Sequence, residues 1–128
     1  MAAETTTFQD TTVVKNKHKQ GQLRDVQDVI DIIGGRWRGA ILASLCDREK
    51  RFNDLRRDVG EITPRILIKE LKYLELNKLI GRNEEAPTKV SYYMTPHGKS
   101  LEPLIGAIVA WGRKHREVIL SEPLEVTP

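Results

Sequence analysis

The stretch RFNDLRRDVGEITPRILIKELK, Arg51 to Lys72, constrains this chain more than any other part of it. Its apolar residues fall at helical spacing in two short runs, Leu55 with Val59, then Leu67 with Leu71 and, just beyond, Leu74. Gly60 stops the first run. Thr63-Pro64 starts the second: a threonine hydroxyl can accept from a free helical N–H, and a proline in the first turn gives up no hydrogen bond. Two short helices joined by a tight polar turn are a device for laying one of them in a DNA groove.

The flanking sequence supplies the rest of a fold around this pair. Leu23, Val26, Val29, Ile30 and Ile33 predict a first amphipathic helix, ended by Gly34-Gly35. Trp37 to Leu45 predicts a second, with Trp37, Ile41, Leu42 and Leu45 inward. Arg51-Phe52 is a short link or a single β-bridge. Asn53 is the expected cap of the third helix, with Arg56 and Arg57 on its exposed side. Asn77 closes the fourth. Leu79-Ile80 begin a strand running toward Glu84, Ala86 to Lys89 turn, and Val90 to Thr95 return with Val90, Tyr92 and Met94 on one face. Thr95-Pro96 repeats the cap-then-proline start. The last helix carries Leu101, Leu104, Ile105, Ile108, Trp111, His115 and Val118 or Ile119, and Pro103 either kinks it or delays its regular part. Four helices, a hairpin and a final helix make a winged helix-turn-helix, mainly α with a small β-hairpin.

One domain is expected at 128 residues. Residues 1–21, rich in Thr, Lys and Gln, read as a flexible arm whose end is made basic by Lys15, Lys17, His18 and Lys19. It is either a solvated tail or an arm that touches DNA phosphates or a partner subunit. Residues 22–120 form the winged-helix domain, and 121–128, with two prolines, a frayed tail. The N-terminus lacks the basic-then-apolar pattern of a signal peptide, and no apolar stretch approaches the roughly 20 residues that cross a bilayer. With Cys46 as the single cysteine no internal disulfide can form, so a reducing cytoplasm is expected and no membrane partner.

A hydrophobic content of 39% with 30% charged residues fits a well-solvated globular protein. The net charge of +3 and pI of about 9.1 are only mildly basic, so any DNA binding has to come from how charge is arranged. Residues 50–72 hold seven Lys or Arg against four Asp or Glu, a local excess equal to that of the whole chain. On a helix over 64–76, Leu67, Leu71 and Leu74 hold the core side. Arg65, Ile68, Lys69 and Lys72, at i, i+3, i+4 and i+7, share the exposed side. Arg65 is the expected partner of a guanine and Ile68 of a thymine methyl, with Lys69 as a third reader. Thr63 and Pro64 bring the helix N-terminus to a phosphate, and Lys72 and Arg51 are expected on the backbone. Thr88 and Lys89 at the hairpin tip, with Arg82 near its base, form a second contact. A wing there meets backbone or minor groove, so Lys89 sets affinity more than sequence preference.

Other residues carry less. His18, His97 and His115 have no ligand spacing, so no metal is expected. There is no phosphate-cradling glycine loop and no nucleophile with a base at an interpretable spacing, hence no catalytic residue and no cofactor. Cys46 is a small buried hydrophobe or, if exposed near Arg48, Lys50 and Arg51, a reactive thiol. Trp37 and Trp111 pack in the core or stack on a small aromatic effector between subunits.

The chain resembles the HxlR-type transcriptional regulators, winged-helix relatives of the MarR-type regulators, from about Val26 to Trp111. The resemblance is carried by Asp31-Ile32-Ile33-Gly34-Gly35-Arg36-Trp37, Arg51-Phe52-Asn53-Asp54-Leu55-Arg56-Arg57 and Ile62-Thr63-Pro64-Arg65-Ile66-Leu67. It continues through Leu71, Leu74-Glu75, Leu79-Ile80, Val90 to Thr95, Gly98 and Trp111-Gly112. It implies a homodimer joined through the first and last helices and bound to a pseudo-palindromic operator in double-stranded DNA. Leu23, Val26, Leu101, Ile105, Ile108 and Trp111 are the expected seam, because a monomer of this length would struggle to cover their apolar stripes; the alternative for Leu101, Ile105, Ile108 and Trp111 is that they pad the monomer core. An unidentified small-molecule effector stays open, with no polar cluster to hold it. Arg24 stands where members often carry a cysteine, so no thiol mechanism transfers there. Glu70 stands where members commonly have a basic or polar residue, and it either repels phosphate or pairs with Arg56 or Arg57. The rival reading is a winged-helix protein-interaction module that binds no DNA.

Overall fold

The computed structural model describes residues 16–121. It divides into two compact units, one ending at Gly35 and one beginning at Arg36. The first unit holds one described helix, α1 (Asn16–Ile33). It starts six residues before position 22, inside the segment read as an arm, because Lys and Gln are good helix formers and let the helix run back beyond its apolar stripe. The rest of the expected arm, residues 1–15, and the tail beyond Ser121 lie outside the described residues. Leu23, Val26 and Ile30 are exposed along α1.

The second unit runs α2 (Arg38–Asp47), β1 (Lys50–Arg51), α3 (Phe52–Val59), α4 (Pro64–Leu76), β2 (Ile80–Ala86), β3 (Lys89–Met94), α5 (Pro96–Lys99) and α6 (Glu102–Ser121). This is the expected winged helix-turn-helix. The hairpin gains a third strand: the sheet order is β1-β3-β2, all antiparallel, with Lys50 opposite Tyr92 and Ile80 opposite Met94. Arg51-Phe52, expected as the link, is displaced by one residue, since Lys50 and Arg51 pair with β3 and Phe52 already opens α3. That also corrects the cap. Arg51 holds the N-cap position with no side-chain bond, and Asn53 lies within the first turn, because the strand feeds straight into the helix and leaves no loop for a capping residue.

The core joins Ile41, Leu42 and Leu45 of α2 to Leu55, Ile62, Leu67, Leu71, Leu74, Leu79, Ile80, Tyr92, Met94 and Ile105. Each such aliphatic side chain contributes about 1.5–3 kcal/mol by leaving water. Trp37, expected inward, is half-buried at the start of α2, with the Arg36 guanidinium 4.6 Å over its ring. Pro103 delays the last helix: α5 ends at Lys99, and the proline falls in the first turn of α6, where its missing N–H leaves no bond unmade. Ile105, expected in a dimer seam, is 7% exposed and belongs to the core. Its turn of α6 faces the leucines of its own chain, while Leu104, Ile108 and Trp111, along one flank of it, are exposed. Leu101 is half-buried.

Two turns fix the helix-turn-helix against the sheet. Gly60, at φ 112°, ends α3 in a conformation that side chains resist, and its N–H donates to Arg56 O at 3.1 Å. Gly98 is buried against the turn after α4, where an added Cβ would meet Leu79 O at 2.0 Å. Thr95 ties the two together: its Oγ1 donates to Lys78 O at 2.7 Å and accepts from Gly98 N at 3.0 Å.

Candidate nucleic-acid interface

α4 begins as its sequence dictates. Thr63 Oγ1 accepts from Ile66 N at 3.2 Å, and Pro64 occupies the first turn. α4 ends at Asn77, followed by Lys78 at φ 63°, with Lys78 N donating to Glu75 O at 2.9 Å and Leu79 N to Leu74 O at 3.1 Å. This left-handed closure satisfies the last carbonyls and aims the chain into β2. Between the two ends Leu67, Leu71 and Leu74 are buried against the core. Arg65, Ile68, Lys69 and Lys72 are all exposed, as are Thr63, Pro64, Arg51, Thr88 and Lys89.

The fold gathers these residues unevenly. Arg51, Ile68, Lys72 and Thr88 line one groove of about 580 Å³ between α4 and the wing, with Asn53, Glu75, Arg82 and Tyr92. Thr63, Pro64, Arg65, Lys69 and Lys89 are not among its lining residues. Arg82, which the sequence placed only near the wing base, is central to the groove: it lies 3.8 Å from Glu75 and 3.7 Å from Glu84. Its guanidinium is pushed above its ordinary value by a hydrogen bond with Tyr92 and by Glu75, and burial raises the Tyr92 phenol. Period-two alternation along β2, which places 82 and 84 on one face, is the sequence signal that pointed there.

The seven cations of residues 50–72 separate into two groups. Lys50 is buried and turned inward, where Nζ donates to Ser44 Oγ at 3.0 Å and pairs with Asp58. That pairing and Ser44 hold the Asp58 carboxyl below its ordinary range. Arg56, expected exposed, is half-buried and donates from Nε to Ile62 O at 2.9 Å, spanning the turn before α4. Arg57 pairs with Asp54. Arg51, Arg65, Lys69 and Lys72 form no ion pair with any described residue. The surface excess of charge is therefore carried by the residues of the exposed face.

Glu70 pairs with neither Arg56 nor Arg57. Its Oε1 accepts from Arg38 Nε at 2.7 Å, across from the start of α2, and the same guanidinium lies 3.5 Å over the Tyr73 ring. The wing is braced from its other side by Glu49, which accepts from Asn83 Nδ2 at 2.8 Å and from Ser91 Oγ, contacts that lower its carboxyl. Cys46 is half-buried, and burial with the nearby Glu102 raises its thiol, the reverse of what a reactive thiolate needs. Arg48, Lys50 and Arg51 do not activate it.

A capped helix with an unpaired basic face, standing beside a three-stranded wing, is the arrangement shared by a large class of regulators, and the comparison with known proteins names the branch. The HxlR-like helix-turn-helix family matches residues 32–119. The chain belongs to that family. Among its relatives, the uncharacterized HTH-type transcriptional regulator YybR of Bacillus subtilis (strain 168) is 35% identical over 109 residues, covering 84% of this chain and 87% of that one. YdeP of the same organism is 41% identical over 96 residues, covering 73% and 75%. Among solved structures, the reduced form of the redox regulator HypR aligns with a TM-score of 0.70 at 36% identity, over 77% of this chain and 99% of that one. Quinone-bound YodB from Bacillus subtilis aligns at 0.62 and 27% identity, over 71% and 98%. This HxlR-type chain is thus a helix-turn-helix transcriptional regulator and not an enzyme. Among the described residues no helix is long and apolar enough to cross a membrane.

Proposed function

We propose that the chain binds double-stranded DNA as a homodimer on a pseudo-palindromic operator, with α4 in the major groove and the wing on the flanking backbone. The observation that carries this reading is the face of α4: Arg65, Lys69 and Lys72 are exposed and without ion pairs, around a helix N-terminus whose free N–H groups suit a phosphate. Arg65, Ile68 and Lys69 read base edges. Thr63, Pro64, Lys72, Arg51, Thr88 and Lys89 set register on the sugar-phosphate chain. The winged-helix domain spans 22–120, and the basic arm ahead of it enters the domain through residues 16–21, the start of α1.

Two copies are needed because one α4 reads only one half-site. Leu23, Val26, Leu101, Ile108 and Trp111 form the seam, and the exposed Leu104 takes the place of the buried Ile105. Two structural neighbours, the redox regulator HypR and quinone-bound YodB, support a small-molecule effector for this chain, and the half-buried Cys46 with its raised thiol favours one held without covalent chemistry at that residue.

Footprinting on DNA from upstream of the gene tests the reading. It predicts two protected half-sites whose centres lie about 10 base pairs, or a multiple of that, apart. A single protected half-site contradicts the dimer, and no protection at low salt moves the protein-interaction reading forward.

A further inference from the structure

α4 carries two carboxylates, Glu70 and Glu75, and arginines from two other elements hold them. Five residues apart on a helix, they lie about 140° apart around its axis, at the two edges of the buried leucine stripe, with the basic face on the remaining side. On one flank Arg38, the first residue of α2, places Nε 2.7 Å from Glu70 Oε1 and its guanidinium 3.5 Å over the Tyr73 ring. On the other, Arg82 of β2 approaches Glu75 at 3.8 Å. The Arg38 contact is the closer and the more shielded of the two, and it spans 32 residues of sequence. Only a planar guanidinium can hold a carboxylate at its edge and a ring at its face together; a lysine ammonium cannot.

We propose that Arg38 is a positioning residue for DNA readout: gripping Glu70 and Tyr73, it sets the rotation of α4 about its axis and withdraws the Glu70 carboxylate from the operator phosphates. The inference rests on the DNA-binding reading above. Glu70 adjoins Lys69 in the chain, and a carboxylate released there opposes the phosphates that Arg65, Lys69 and Lys72 attract. Arg38 need not touch DNA to matter. Its loss frees a negative charge and one rotational restraint together.

The test is a double-variant cycle on the full chain, read by fluorescence anisotropy on the footprinted operator and on random DNA, with a melting temperature for each protein. Arg38→Ala is expected to weaken operator binding about tenfold, more than it weakens random DNA. Adding Glu70→Ala is expected to recover at least about threefold of that loss, a rescue that damaged packing alone would not give. If Arg38→Ala does not fold, Arg38→Gln and Arg38→Gln/Glu70→Gln carry the same comparison. Operator binding by the single variant within about twofold of wild type overturns the proposal, as does a double variant no tighter than the single one. Wild-type protein that binds no DNA overturns the reading beneath it, and this inference with it.

Discussion

Lys50 and Arg51 are neighbours with opposite surroundings, and the difference decides where charge acts. Strand alternation turns Lys50 into the α2–α3 junction, 5% exposed against Ser44 and Asp58, and turns Arg51 out to the groove beside α4. A charge count over residues 50–72 cannot separate the two. Arg65 carries the sharpest expectation at this scale. Arg65→Ala should cost roughly 1–3 kcal/mol on the operator and relax preference at one base pair, the signature of a lost bidentate guanine contact. Binding to a panel of operator variants measures it, and an equal loss on every variant removes Arg65 from the readers. Lys78 offers a stability counterpart. Held at φ 63° in the closure of α4, it occupies a position that favours glycine, so Lys78→Gly should raise stability by about 0.5–1 kcal/mol in denaturant melts, with DNA affinity unchanged.

At the scale of elements, what was legible in the sequence is what depends on neighbours a few residues away. The start of α4 followed from Thr63-Pro64, its end from Asn77, and the hairpin from Ala86 to Lys89, because caps and turns are local chemistry. The cap of α3 was not legible, since whether Asn53 caps depends on β1 pairing with β3 some forty residues on. The partner of Glu70 was hidden for the same reason: a lone carboxylate on a basic helix signals a need for a cation, but the distance from Arg38 in sequence conceals which one answers it. Seam residue Ile105 failed because a continuous apolar stripe does not say which of its sides meets the core. The wing is the element whose role separates most cleanly from that of α4. Lys89→Ala should weaken binding to all sequences alike and reduce the salt slope by about one, as for a single lost phosphate contact. Selective loss on the operator would instead make the wing a reader of sequence.

The whole molecule poses the question of assembly. Along α6, Ile108 at 46% and Trp111 at 66% exposure are costly to leave in water, and the Trp111 ring stacks on His115 with centroids 4.9 Å apart. A second copy covering this stripe removes that cost. Ile108→Glu should weaken self-association by about 2 kcal/mol or more, leaving monomer at micromolar concentration by sedimentation where wild type is dimeric, and should abolish operator binding while α4 is untouched. A wild type that sediments as a monomer under those conditions would contradict the dimer. The central claim is that the exposed face of α4 recognises a particular DNA sequence, and anisotropy on labelled upstream DNA over a salt series, against random DNA, tests it most directly. The account predicts binding to one segment at least about a thousandfold tighter than to random sequence at physiological salt. Equal binding to both, falling steeply together with salt, would leave only a basic surface and contradict it.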